Sequence, residues 1–256
     1  MDEIISIEVK NLVKKYGDFE AVKGISFDVK KGEIFAFLGP NGAGKTTTVK
    51  ILTGLLKPSN GEVSVLGMNV SRDIDKIKSK VGFVPDQPYV YPYLTAFEYM
   101  RMIGDIYKVP VEKQQKMIPE LFEMFELDGR SSEIIDSFSH GMKQKLVISG
   151  VLLHDPEIMF LDEPLVGLDP RSARIVKDIF LKLAKSGTAV FMCTHVLDIA
   201  QKLSDKICIV NGGKILALDT FENLQKRVDS QSDLEQVYLD IIEGANGKKS
   251  KVSGGI

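Results

Sequence analysis

Long hydrophobic runs are missing from this chain of 256 residues. Its purely apolar stretches reach about five residues, against the ~18–20 that a membrane-spanning helix needs. An excess of charge of either sign is missing too: 33 Lys and Arg face 35 Asp and Glu, for a net charge of −2. That balance argues against a partner held by wholesale electrostatics, nucleic acid above all. Cysteine is scarce. Cys193 and Cys208 sit in apolar runs without metal-ligand spacing and read as buried thiols rather than a disulfide. The opening Met1-Asp2-Glu3-Ile4-Ile5 is acidic and carries no signal-peptide pattern, so a cytosolic origin is expected. Work at a membrane would then require docking onto something that spans it. The length suits one large domain or two modest ones, with enough chain to bury a core.

What is present starts with Gly39-Pro40-Asn41-Gly42-Ala43-Gly44-Lys45-Thr46, the full G-x-x-x-x-G-K-[ST] phosphate-binding loop. Ile34 to Leu38 before it is a continuous apolar run, as a buried parallel strand requires; Thr46, Thr47 and the residues to Leu52 can open a helix. Chemistry explains the order. The glycines let the backbone curl around an anion with its N–H groups inward, and the new helix adds the positive end of its dipole. Lys45 adds a full charge near the β- and γ-phosphates, and Thr46 a hydroxyl for Mg²⁺. A nucleoside triphosphate with Mg²⁺ is the expected ligand.

Around this loop the chain alternates. Ile4 to Phe27 gives strands around Lys14 to Asp18, a hairpin-like opening, and Glu62 to Gly67 another short strand. A third, Val81 to Pro85, is expected to run toward the centre. Thr95-Ala96-Phe97-Glu98 then forms a capping box, and Phe97, Met100, Ile103 and Tyr107 follow at helical spacing. Met117, Leu121, Met124 and Phe125 repeat the pattern, so residues about 88–153 read as a helical insertion. Strands are expected over Ile158 to Asp162 and Ala189 to Thr194, helices over Ser172 to Leu183 and Val196 to Lys202. A closing hairpin turns at Asn211-Gly212-Gly213. Leu234, Val237, Tyr238, Ile241 and Ile242 line one face of a last helix, and Gly244 to Ile256, rich in Gly, Lys and Ser, is expected to be disordered. The insertion is preceded by Pro88-Tyr89-Val90-Tyr91-Pro92-Tyr93-Leu94, where two prolines discourage regular structure. An aromatic surface loop suited to an interface is the expectation.

The strand Ile158 to Asp162 ends in Asp162-Glu163-Pro164. A carboxylate at a strand's C-terminal tip can hold the water shell of Mg²⁺, and Glu163, one residue on, can reach the water that attacks the γ-phosphate. About twenty residues earlier stands Phe138-Ser139-His140-Gly141-Met142-Lys143-Gln144-Lys145. Ser139 caps a helix whose N–H groups face outward, a second anion site without a phosphate of its own. With these motifs the chain resembles the ATP-binding cassette ATPases, whose signature is Leu-Ser-Gly-Gly-Gln. Ser139 and Gly141 match it; Phe138, His140 and Met142 depart. This form resembles exporter-type cassettes that assemble with a separate permease chain.

The resemblance implies further assignments. Tyr16 falls where such cassettes stack an aromatic ring on adenine. Gly167-Leu168-Asp169-Pro170 resembles the loop touching the partner subunit, with Asp169 at the nucleotide site. His195 resembles the switch histidine that contacts the γ-phosphate. Family members read Pro-Gln after a strand like Val84, whereas this chain reads Pro85-Asp86-Gln87. Position for position Asp86 takes the family's glutamine site, with Gln87 one residue late, and which side chain reaches Mg²⁺ stays open. The implied fold is α/β: a P-loop NTPase (RecA-like) core with an N-terminal antiparallel β subdomain and an inserted α-helical subdomain. Residues 1–220 would form the ATPase domain and 221–243 a C-terminal helical extension. The implied activity is ATP hydrolysis by catalytic Glu163, His195 and Lys45, with Thr46, Asp86, Gln87 and Asp162 at the metal. Implied partners are a second cassette, whose phosphate loop faces Ser139, His140 and Gly141, and a membrane-spanning permease reached from the cytoplasmic face. An ATPase of this type acting on the ribosome or nucleic acid is the competing reading. The span from Lys45 to Ser139 is too short for the long coiled coils of chromosome and repair members, and translation-factor members carry two cassettes per chain. A GTPase or small-molecule kinase lacks support: there is no Asn-Lys-x-Asp motif.

Overall fold

Each central strand carries two alternating apolar faces, and those faces organise the molecule. The structure, a computed structural model, describes residues 4–228 and 232–245. Met1 to Glu3, and the expected disordered tail from residue 246 onward, lie outside the described residues. The chain opens with β1 (Ile5–Tyr16) and β2 (Phe19–Lys30), a hairpin of two long strands where short ones were expected. Then come β3 (Ile34–Leu38), α1 (Lys45–Leu52), β4 (Asn60–Val65), β5 (Met68–Asn69), α2 (Ile74–Lys78) and β6 (Val81–Val84). Three helices follow: α3 (Ala96–Ile106), α4 (Val111–Met124) and α5 (His140–Leu153). The alternation resumes with β7 (Ile158–Asp162), α6 (Pro170–Lys185), β8 (Ala189–Thr194), α7 (Leu197–Leu203), β9 (Lys206–Asn211) and β10 (Lys214–Asp219). Two helices close the chain, α8 (Phe221–Arg227) and α9 (Leu234–Ala245); Gly244, expected in the tail, is the penultimate residue of α9.

Among the described residues there is a six-stranded sheet in the order β10-β9-β3-β8-β7-β6, parallel except for β10, and a four-stranded antiparallel sheet in the order β2-β1-β4-β5. β6, expected to run toward the centre, is the edge strand beside β7. Period-two alternation sends Phe35, Phe37, Phe160 and Phe191 to one face of the large sheet. There Phe27 of β2 stacks on Phe35 and Phe191, with centroids 5.4 and 5.7 Å apart, joining the two sheets. The opposite face presents Met159, Leu161, Val190 and Met192 to the insertion (Met100, Phe122, Leu146, Ile148) and to Val176 and Phe180 of α6. A third cluster sets Ala36, Leu38, Ile207 and Ile209 against Leu224, Leu234, Val237 and Ile241, fastening the C-terminal helices to the sheet.

The predicted helix starts have physical counterparts. Thr95 accepts the Glu98 N–H while the Glu98 carboxylate accepts the Thr95 N–H at 2.8 Å, a complete capping box. Ser139 caps α5, accepting the Met142 N–H at 3.3 Å. α6 starts at Pro170, two residues ahead of the expected Ser172: Asp169 caps it, and Pro170, lacking an N–H, suits the first helical position.

Candidate active site

The phosphate loop joins β3 to α1 at the C-terminal edge of the large sheet. It is wedged between neighbours: a Cβ on Gly39 would meet the Val210 carbonyl oxygen at 2.3 Å, and one on Gly44 the Ala21 carbonyl oxygen at 2.7 Å. Gly44 also has φ +99°, a left-handed conformation that glycine adopts at no steric cost. No side chain caps α1, which leaves its first-turn N–H groups directed at the loop for an anion. Lys45 is buried, and its ammonium donates to the carbonyls of Gly39 at 2.7 Å and Pro40 at 3.2 Å. Two of its three protons hold it across the loop, and the third remains for a ligand.

β7 and β8 bring the acidic half of the site. Asp162, paired with Cys193 in register, is 3% exposed. Burial pushes its carboxyl above the ordinary value, reinforced by the Glu163 and Asp86 carboxylates, while the Thr46 hydroxyl and Lys45 pull it down. Thr46, Asp86, Gln87 and Asp162 line one cleft of about 870 Å³ between the sheet and the inserted helices. These hard oxygen donors, with surplus negative charge around a buried carboxylate, fit Mg²⁺. Among the described residues no cluster of three or more His, Cys, Asp or Glu side chains forms a metal site alone. The ion would therefore complete its shell from phosphate and water, as Mg²⁺ prefers. Asp86 and Gln87 border the cleft together, so both stay open as ligands.

Beyond Asp162 the chain turns sharply. Glu163 still donates its N–H to the Cys193 carbonyl at 3.0 Å, but its φ of 50° lies in the left-handed region. For a residue with a Cβ that costs about 1–2 kcal/mol, a strain that aims the carboxylate away from the strand. Its Oε1 lies 2.7 Å from His195 Nδ1, and its Oε2 accepts the Thr194 hydroxyl at 3.1 Å. A carboxylate only accepts, so the imidazole proton sits on Nδ1 and leaves Nε2 facing outward. The Glu163 side chain is 11% exposed and that of His195 57%, a shielded carboxylate beside an accessible ring.

The remaining sequence-predicted residues form a second group. Gly141 packs so closely on the Gly167 turn that a Cβ would meet the Gly167 carbonyl oxygen at 2.6 Å. Ser139 and His140 are exposed, and none of Ser139, His140 and Gly141 lines the cleft that holds Thr46 and Asp162. Asp169 is occupied within its own chain: its carboxylate accepts the Ser172 hydroxyl and N–H at 2.6 and 2.9 Å and meets Lys145 Nζ at 3.0 Å. These contacts, the serine hydroxyl first, hold its carboxyl well below the usual carboxylate range. Tyr16 stands half-exposed at the tip of the β1–β2 hairpin with Lys14 Nζ 5.2 Å from its ring centroid. Sequence reasoning passed over Lys145 and Thr194. A lysine next to Leu146-Val147-Ile148 signals a buried charge in need of a partner; Thr194 carries no such signal, since a strand-end threonine is common.

Comparison with known proteins identifies the family. The family model described as "ABC transporter" matches residues 22–166. The linearmycin resistance ATP-binding protein LnrL of Bacillus subtilis (strain 168) is 35% identical over 237 residues, covering 93% of this chain and 76% of that protein. A probable multidrug ABC transporter ATP-binding protein, YbhF of Escherichia coli (strain K12), is 37% identical over 240 residues, but the chain spans only 41% of its length. The bacitracin transport ATP-binding protein BcrA of Bacillus licheniformis is 36% identical over 222 residues, 86% of this chain and 72% of that one. Among solved structures, an ATP-binding subunit of an ABC transporter superimposes with a TM-score of 0.88 at 29% identity, covering 92% of this chain and 99% of that one. A dimeric cassette in a post-hydrolysis state with ADP and Pi gives 0.77 at 27% identity, covering 84% and 98%. With its phosphate loop, its Asp162-Glu163 pair and its helical insertion, this chain belongs to the ABC transporter family, as an ATP-binding, ATP-hydrolysing subunit.

Proposed function

We propose that this chain powers export through a separate membrane permease by closing two cassettes around ATP, with Glu163 as the general base. The observation that carries the reading is the two-point grip on the Glu163 carboxylate, one residue beyond buried Asp162, which itself meets the Thr46 hydroxyl of the phosphate loop. Lys45 and the uncapped start of α1 hold the phosphates. Thr46 and Asp162, with Asp86 or Gln87, hold Mg²⁺, which when bound neutralises charge on the phosphate oxygens. Glu163 takes a proton from the attacking water; the new P–O bond forms as the bond from the γ-phosphorus to the bridging oxygen breaks, leaving ADP and phosphate. His195 orients Glu163 through Nδ1 and offers Nε2 to the γ-phosphoryl group. Ser139, His140 and Gly141 serve the nucleotide of the opposite cassette, with Asp169 in the loop between, and Tyr16 stacks on adenine.

Residues 1–220 act as the cassette and 221–243 as an extension, of which α8 and α9 pack on its sheet through Leu224, Leu234, Val237 and Ile241. The cleft that begins at Thr46 and Asp162 continues between Tyr99, Ile103, Val147 and Val151, with Tyr89 at its rim. Tyr89, Tyr91 and Tyr93 are 80%, 60% and 89% exposed. A cytoplasmic helix of the permease seated there would feel movements of Asp86 and Gln87 directly. Among the described residues no helix is long and apolar enough to cross a membrane; the subunit works as a peripheral partner of the permease, on its cytoplasmic face. Transport rather than ribosome or nucleic-acid work is favoured by relatives named for linearmycin resistance and bacitracin transport. Lys45→Ala tests the site: it should abolish hydrolysis and weaken ATP binding, because it removes the buried ammonium at the phosphates. Near-normal turnover in the purified variant would reject it.

A further inference from the structure

Thr194 is the last residue of β8 and is 2% exposed. Its hydroxyl does two things. It accepts the Val196 N–H at 3.0 Å, which shapes the turn carrying His195, and it spends its single proton on Glu163 Oε2 at 3.1 Å. Behind the Glu163 side chain lies a small cavity of about 140 Å³. Besides Glu163 and Thr194 it is lined by Pro164, Leu165, Val166, Met192, Val196 and Ile199, all apolar. Among the described residues the Thr194 hydroxyl is therefore the only side chain lining that side that can hydrogen-bond the carboxylate. Without it, Oε2 would face apolar surface, and the carboxylate, held at Oε1 alone, could swing about its contact with His195. The left-handed backbone of Glu163 fixes where the side chain starts but not how its carboxylate is rotated.

We infer that Thr194 is a positioning residue for ATP hydrolysis, locking the rotation of the Glu163 carboxylate so that a lone pair faces the attacking water. The inference rests on Glu163 being the base. Each carboxylate oxygen has two lone pairs, so the Thr194 and His195 bonds leave capacity for the water proton. Thr194 does not line the cleft that holds Thr46 and Asp162 and acts through Glu163.

The test uses the purified full chain with Mg·ATP and steady-state kinetics. Thr194→Val keeps size and β-branching but removes the hydroxyl; Thr194→Ser keeps the hydroxyl. Loss of a hydrogen bond to a charged group should lower kcat in Thr194→Val about ten- to a hundredfold, with KM within about twofold. Thr194→Ser should restore most of the rate. Placed on Glu163→Gln, Thr194→Val should change kcat by less than about twofold, since the group it orients is already disabled. A kcat in Thr194→Val within twofold of wild type, an equally slow Thr194→Ser, or a full further loss on Glu163→Gln would each overturn the assignment. The last would mean that the hydroxyl matters only through the Val196 N–H and the His195 turn. A wild-type rate in Glu163→Gln alone would instead remove Glu163 as the base, and the inference with it. If Thr194→Val does not fold, Thr194→Ala is read against the same outcomes.

Discussion

Asp169 and Lys145 invite a cycle in which removing one partner should hurt more than removing both. The Lys145 side chain is 11% exposed and that of Asp169 50% exposed, with 3.0 Å between Nζ and Oδ2. Asp169→Ala removes the cap of α6, worth about 1 kcal/mol. It also strands an ammonium that has little water. Breaking a fully buried pair from one side costs about 3–5 kcal/mol, but water entering where Asp169 was cuts this to about 1–2 kcal/mol. The expected loss is therefore about 2–3 kcal/mol. Lys145→Met keeps the packing of the stem, and Asp169 still caps the helix and still meets solvent, so that change should cost about 0.5 kcal/mol or less. In the double variant only the missing cap remains, about 1 kcal/mol, which makes it more stable than Asp169→Ala alone. Urea unfolding of the four proteins, followed by circular dichroism, measures the cycle. Additive losses, or Lys145→Met as damaging as Asp169→Ala, would refute the reasoning.

Two further outcomes follow from the cleft. Tyr89→Ser with Tyr91→Ser should leave ATPase activity of the isolated subunit within about twofold yet disrupt permease binding or transport; intact assembly and transport would show that the partner docks elsewhere. His154 stacks on Tyr107 with ring centroids 3.8 Å apart, and burial pushes its imidazole down from 6.5 to about 4. The unfolded chain takes up that proton below about 6.5 and the folded chain only below about 4, so stability present at neutral pH is lost as pH falls through that window. His154→Phe keeps the stack and should lose less stability between pH 7 and pH 5 in urea unfolding; equal losses in both proteins would count against the assignment.

The strands β7 and β8 were legible to the residue, because a continuous apolar run between turn residues is how a strand buried on both faces reads. The position of β6 was not. Val81-Gly82-Phe83-Val84 would look the same at the centre or the edge, since strand order is set by crossovers rather than by local composition. The start of α6 was misread by two residues, because Asp169 and Pro170 were assigned to the partner-facing loop and not weighed as cap and first turn. Within the site, the phosphate loop, Asp162, Glu163 and His195 were legible from motif spacing. The direct contact between Glu163 and His195 depends on the register of β7 on β8, which no local pattern states. Lys145 and Thr194 became visible only as partners of Asp169 and Glu163.

The central claim is that Glu163 is the base of an ATP site completed by a second cassette. Glu163→Gln keeps the shape of the side chain and removes its basicity, so the variant should bind ATP but hydrolyse it about 10²–10⁴-fold more slowly. The direct measurement is the mass of purified Glu163→Gln protein by size exclusion with light scattering, with and without Mg·ATP. The account predicts a dimer that holds intact ATP and reverts to monomer when nucleotide is withdrawn; a monomer at saturating ATP and high protein concentration would contradict it.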